Sequence, residues 1–188
     1  MIKLKPADLR TKVPTEEELK KIREKRNAIY IVLDNVLDTY NVGAIFRLAD
    51  AVAAEKVFLC GETETPPNTR IKKASINTTE WVPWEYSKST LDAIKKLKKE
   101  IPKIKIISIE QDKKSVPFEV VSYEFPVAFV VGNETRGVSN EVLELSDTIV
   151  ELPMFGVNTS LNVMVSLGII LYQSINYLLF PFRFPKKK

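Results

Sequence analysis

The 188-residue chain carries 28 Lys/Arg and 24 Asp/Glu, a net charge of +4, one cysteine and no histidine. The missing histidine removes Ser-His-Asp and Cys-His catalysis and the usual zinc ligand sets, so no metal site is expected. A single cysteine, Cys60, removes an internal disulfide framework and fits a reducing, cytoplasmic compartment. Proton transfer is left to carboxylate, lysine, arginine, tyrosine or the thiol, or to water itself.

The length is that of one domain able to bury about 70% of its unfolded surface, and no linker or repeat divides it. Pro14-Thr15-Glu16-Glu17-Glu18 opens a helix, with Thr15 and Glu18 at capping-box spacing. Ile29–Asp34 is a buried strand, Asn35–Asn41 a loop and Gly43–Val52 a helix. Lys56–Leu59 is a second strand, and Gly61–Asn68 a surface loop rich in Thr, Glu and Pro. Trp81–Tyr86, broken by Pro83, reads as a short edge strand. Thr90–Glu100 is an amphipathic helix with Leu91, Ile94 and Leu97 turned inward. Strands follow at Ile104–Ile109, Pro126–Val131 and Thr148–Leu152, with helices at Ser139–Leu145 and Leu161–Leu179. The last helix is apolar, but Ser166, Gln173, Ser174 and Asn176 interrupt it, so it reads as a core or subunit-interface helix and not a membrane span. No signal-peptide pattern precedes it, since charges recur from Lys3 to Arg26.

Strands alternating with helices predict a parallel sheet covered on both faces. The strand ends after Ile109, Val131 and Leu152 would then open on one edge of the sheet, where α/β proteins bind ligands. The loop Gly132–Gly137 has the glycine spacing of a P-loop, but Val138-Ser139 stands where Lys-Ser/Thr is needed. No G-x-G-x-x-G occurs, so neither an NTPase nor an ordinary dinucleotide site is expected. What remains is a strand-end loop suited to a small polar ligand.

Charge is unevenly spread. Residues 1–28 carry +4, residues 181–188 carry +4 and the body between them −4. Basic arms on an acidic body favour a polyanion such as nucleic acid.

Three motifs occur in order: Asn41-Val42-Gly43-Ala44-Ile45-Phe46-Arg47, then Gly132-Asn133-Glu134 through Gly137-Val138-Ser139, then Leu152-Pro153-Met154 with Ser160-Leu161-Asn162-Val163. Together they resemble the SpoU–TrmH family of the SPOUT superfamily, over residues 29–180. The resemblance implies a six-stranded parallel sheet with helices on both faces, closed by a C-terminal deep trefoil knot. It also implies a homodimer that transfers a methyl group from S-adenosylmethionine to a ribose 2′-hydroxyl of RNA, leaving S-adenosylhomocysteine. Transfer RNA is the expected substrate and ribosomal RNA the alternative. A silent RNA-binding module on the same fold, or a base-methylating relative, are the competing classes.

Carried over residue by residue, the resemblance makes Arg47, Asn41, Glu134, Ser160 and Asn162 the catalytic group. It gives the cofactor Ile109, Val131, Gly132, Asn133, Gly137, Leu152, Met154, Ser160 and Leu161, largely through main-chain groups. Arg47 matches the arginine that acts on the ribose hydroxyl with an RNA phosphate, and Glu134 the acid that orients the arginine or asparagine. The plainer reading of Arg47 is a surface arginine paired with Asp50. RNA contacts are expected from Arg47, from Lys20, Arg23 and Arg26 of a basic helical extension (residues 1–28), and from Arg183 and Lys186 of a basic tail (residues 181–188). Two departures stand out: the extension is too short for the separate RNA-binding domain many relatives carry, and Met164 stands where a small residue is more usual.

Overall fold

A computed structural model describes residues 2–179; the tail with Arg183 and Lys186 lies outside them. Two N-terminal helices, α1 (Pro6–Leu9) and α2 (Glu16–Arg23), lead into the sheet. Its strands are β1 (Asn27–Asp34), β2 (Ala54–Cys60), β3 (Trp84–Ser87), β4 (Lys105–Ile109), β5 (Val116–Pro117), β6 (Val127–Gly132) and β7 (Thr148–Glu151). All pairs are parallel, in the order β3-β2-β1-β6-β4-β7-β5. The helices are α3 (Thr39–Ala51), α4 (Thr69–Ser75), α5 (Thr90–Glu100), α6 (Asn140–Leu145) and α7 (Val163–Leu179).

The sheet has seven strands where six were expected. The extra one, β5, is two exposed residues paired to β7, too short for any hydrophobic pattern to announce. The six expected strands are present, with β3 at an edge as Pro83 suggested. Alternation along β1 explains the two layers. Ile29, Ile31 and Leu33 face α3, α4 and α7 through Ala49, Ile71 and Leu167, whereas Val32 joins Ile94, Leu97 and Val142 of α5 and α6. Cys60 is buried in the second layer, and burial pushes its thiol up to about 12, so it is packing rather than chemistry.

Local signals set most helix starts. Thr15 and Glu18 form the expected capping box, and Ser89 caps α5. Two boundaries move: α3 begins at Thr39, capped by Asp38, so Asn41 lies in the helix and not in a loop. The last helix starts at Val163, so Ser160 and Asn162 precede it. A whole element, α4, falls where no helix was expected. Asn68 caps it by accepting from the Arg70 and Ile71 N–H groups, and its apolar content is one turn.

Gly43 of the first motif is explained by α4. A Cβ there would stand 2.6 Å from Ala74 Cβ and 2.7 Å from the Ile71 carbonyl oxygen, so α3 and α4 meet backbone to side chain with no room for a methyl group. Gly168 in α7 differs: its nearest neighbour would be Leu48 Cδ2 at 3.5 Å, an ordinary contact. Gly43→Ala is therefore expected to lose about 1–3 kcal/mol through overpacking. Gly168→Ala should be neutral or gain up to about 1 kcal/mol from lower unfolded-chain entropy. Urea unfolding of the two variants checks this; equal stabilities would mean that the α3–α4 contact yields easily.

Candidate active site

β6, β4 and β7 are neighbours in the sheet, so their C-terminal ends form one wall. A cleft of about 500 Å³ opens there. Ile109, Val131, Leu152, Met154 and Leu161 give it apolar walls, and Gly132, Asn133, Gly137 and Ser160 give it backbone and polar groups. All nine residues that the motifs assign to the cofactor thus line one cavity, joined by Glu134 and Asn162.

The loop after β6 holds its shape by closing on itself. Asn133 N–H donates to the Gly137 carbonyl (3.0 Å) and Gly137 N–H to the Asn133 carbonyl (2.9 Å). Asn133 Oδ1 accepts from the Thr135 and Arg136 N–H groups, and its Nδ2 donates to the Asn35 carbonyl. The closure brings Gly132 so near Gly137 that a Cβ on it would lie 2.1 Å from the Gly137 carbonyl carbon. Gly137 itself has φ +69°. From the far side Glu110 Oε2 accepts from Val138 N–H at 2.8 Å, and Asp34 accepts from the Ser139 N–H and hydroxyl. Glu110 and Asp34 were not singled out from sequence; an acid at or just beyond a strand's C-terminal end was the available signal.

Glu134 ties the three motifs together. Its Oε1 accepts from the Asp38 N–H (3.0 Å) and Asn41 Nδ2 (2.9 Å), and its Oε2 from the Leu37 N–H (3.1 Å). Asn162 Nδ2 in turn donates to Asn41 Oδ1 at 3.0 Å, and Asn162 Oδ1 accepts from Met164 N–H at 2.9 Å. Glu134 therefore orients the asparagine and not the arginine. Partial burial opposes its charge, but the hydrogen bonds from Asn41, Leu37 and Asp38 outweigh that and hold its pKa below the usual carboxylate value.

Arg47 stands elsewhere. It is exposed, does not line the cleft, and has no hydrogen-bond or ion-pair partner among the described residues, Asp50 included. It follows Gly43 by four residues, so it leaves α3 on the side toward α4. Asn41 leaves the same helix toward Asn162, just ahead of α7. Of the other expected RNA contacts, Lys20 and Arg23 are exposed on α2. Arg26 is turned inward, donating to the Ala54 and Trp81 carbonyls at 2.7 and 2.6 Å, and burial lowers its pKa.

Among the described residues, the charged ones lining the cleft are Glu110, Glu134 and Glu151, with no lysine or arginine. Such a lining repels a phosphorylated nucleotide and suits a ligand with positive charge. Parallel strand ends holding a self-closed glycine loop over an acidic, part-apolar cleft define a class of α/β protein that binds a small cationic or zwitterionic ligand.

Residues 28–172 match the model of the SpoU rRNA Methylase family, and the chain belongs to that family. It is 34% identical over 167 residues to a tRNA (guanosine(18)-2′-O)-methyltransferase of Aquifex aeolicus, covering 85% of this chain and 76% of that one. The crystal structure of an A. aeolicus TrmH/SpoU tRNA modifying enzyme superposes with a TM-score of 0.75 at 31% identity, covering 92% and 89% of the two chains. An AdoMet-bound rRNA methyltransferase from Sinorhizobium meliloti superposes with a TM-score of 0.74 at 27% identity, covering 84% of this chain but 60% of its own.

The depressed pKa of Glu134 has a consequence for stability. A carboxylate whose folded pKa lies below its unfolded value of about 4.3 contributes fully above that value, and the contribution disappears as pH falls through the folded pKa. Glu134→Gln is expected to be less stable than wild type at neutral pH, with the gap narrowing below about pH 4. Denaturant unfolding at several pH values measures it. A pH-independent gap would mean that the charge contributes nothing.

Proposed function

We propose that the protein transfers the methyl group of S-adenosylmethionine to a ribose 2′-hydroxyl of structured RNA, with transfer RNA as the substrate class and a homodimer as the working form. The observation that carries this reading is the acidic cleft itself, lined by every motif residue expected around the cofactor and, among the described residues, by no cation. S-adenosylmethionine fits that lining: Glu110, Glu134 and Glu151 would favour its sulfonium and ammonium charges, and Leu152, Met154, Leu161 and Ile109 would offer its adenosine apolar walls. When bound, it supplies a methyl group already activated by the positive sulfur. The relatives add weight, one named for the 2′-O position of a tRNA guanosine, another bound to AdoMet.

The chain's own task is then positioning and charge. Glu134 and Asn162, both lining the cleft, hold the buried Asn41 with its amide orientation fixed. Arginine is a permanent cation, so Arg47 is better suited to gripping an RNA phosphate and stabilising the developing 2′-alkoxide than to removing its proton. The proton leaves to water. Arg47 is exposed and does not line its own protomer's cleft, which supports a site completed by the Arg47 of a second copy.

α7 supplies the surface for that copy. Val165, Ile169, Tyr172 and Leu179 recur along one side and are 38–64% exposed, an apolar stripe unusual on a free helix face. A knotted C-terminal segment is also part of the proposal. The chain leaving β7, between β4 and β5, is held by Gln111 Nε2 donating to the Thr159 carbonyl before α7 returns to pack on α3. That path suits a chain threaded past the loop after β4.

Two variants test the reading together. Arg47→Ala should bind S-adenosylmethionine within a few-fold of wild type by isothermal titration yet lose methyl transfer. Asn162→Ala should be impaired in its own cleft. Mixing the two inactive proteins should restore about a quarter of wild-type activity, since half the dimers are mixed and each has one intact composite site. Normal turnover by Arg47→Ala would reduce it to a surface residue. No recovery on mixing, with subunits shown to exchange, would place Arg47 in its own protomer's site.

A further inference from the structure

We infer that RNA phosphates are gripped by α4 and the segment docked beside it, with α2 contributing little, so that the RNA runs from Arg47 across the α3–α4 contact. The inference rests on the RNA methyltransferase reading above and assigns its substrate-binding surface. Four observations carry it.

First, α4 carries Arg70, Lys72 and Lys73 in seven residues with no acid, whereas α2 sets Glu16, Glu17 and Glu18 against Lys20, Lys21 and Arg23, with Lys21 paired to Glu17 at 2.6 Å. A helix whose charges cancel locally attracts phosphates weakly. Second, the Arg70, Lys72 and Lys73 side chains are exposed and have no hydrogen-bond or ion-pair partner among the described residues. On α5, by contrast, two of the four lysines are engaged, Lys96 by Glu85 and Lys98 by Asp147, and Asp92 and Glu100 offset the helix's charge further. Third, Arg70 precedes Ala74 by one turn, and Ala74 is the residue against Gly43; Arg47 follows Gly43 by one turn. Arg70 and Arg47 therefore flank the same close helix contact, and that contact fixes α4 to the motif helix.

Fourth, the N-terminal segment is docked to the turn after α4. Asn77, 3% exposed with φ 68°, donates through Nδ2 to the carbonyls of Leu9 and Lys12, each at 3.1 Å. Lys12 pairs with Glu18 at 2.5 Å and lies over the Trp81 ring. Arg10, exposed between the two clamped carbonyls, thereby joins the cations of α4. The extension is a brace that enlarges the basic surface, and its inward arginine, Arg26, fastens it to β2 and Trp81.

The test is the salt dependence of binding to a transfer-RNA transcript between about 50 and 200 mM salt. Arg70→Gln/Lys72→Gln/Lys73→Gln should lower the slope of log affinity against log salt by about 2–3 and weaken binding by roughly tenfold or more. Lys20→Gln/Lys21→Gln/Arg23→Gln should change the slope by less than about 1. S-adenosylmethionine affinity and the unfolding midpoint monitor the fold in both. An unchanged slope in the α4 variant, or the loss appearing in the α2 variant instead, overturns the inference while leaving a wild type that methylates RNA intact as an enzyme. A wild type that neither binds nor methylates RNA would overturn the functional reading and this one together.

Discussion

The site depends on an acceptor that cannot donate. Ionised Glu134 offers only lone pairs, so Asn41 must turn its NH₂ toward it. That leaves Asn41 Oδ1 to accept, which turns the NH₂ of Asn162 inward, and Asn162 Oδ1 is then free to receive the first N–H groups of α7. One carboxylate thus polarises a chain of hydrogen bonds through all three motifs. The same carboxylate receives the Leu37 and Asp38 N–H groups ahead of α3. A neutral amide in its place would set its NH₂ against a backbone N–H, that of Leu37 if its oxygen keeps Asn41 and Asp38.

That chain works only because its supports are rigid. The Asn133–Gly137 loop is closed by its own backbone and braced by Glu110 and Asp34, so Glu134 projects from a fixed base. Asp34 also accepts from the Thr90 hydroxyl, linking the loop to α5 on the other face of the sheet. Residues well outside the motifs therefore set the geometry inside them. The resulting cleft is acidic, and the cation the proposed chemistry calls for, Arg47, stands outside it on α3. Keeping Arg47 out of its own protomer's cleft avoids an Arg47–Glu134 ion pair that would neutralise both.

Much of this was legible in the sequence, for physical reasons. The first strand was marked by its short β-branched run and Trp81–Tyr86 as an edge by Pro83, and the expectation that the strands ending at Ile109, Val131 and Leu152 share an edge followed from alternation with helices. The family model bears out the resemblance carried by the motifs. Less was legible where tertiary contacts decide. α4 forms because Asn68 caps it and Gly43 lets α3 approach, neither of which is a periodic signal. β5 exists only because β7 offers it an edge. Arg26 sits in a basic run that reads as solvent-facing, yet two backbone carbonyls draw it inward. The partner of Glu134 could not be chosen between Arg47 and Asn41 until the side of α3 facing the loop was known.

The central claim is methyl transfer to a ribose oxygen. Purified protein would be incubated with methyl-labelled S-adenosylmethionine and transfer-RNA transcripts, and the RNA digested to nucleosides and resolved by mass spectrometry. The account predicts label in a single 2′-O-methylnucleoside, absent when that position carries a 2′-deoxyribose. Label on a base, or unlabelled RNA from protein that binds the cofactor, would contradict it.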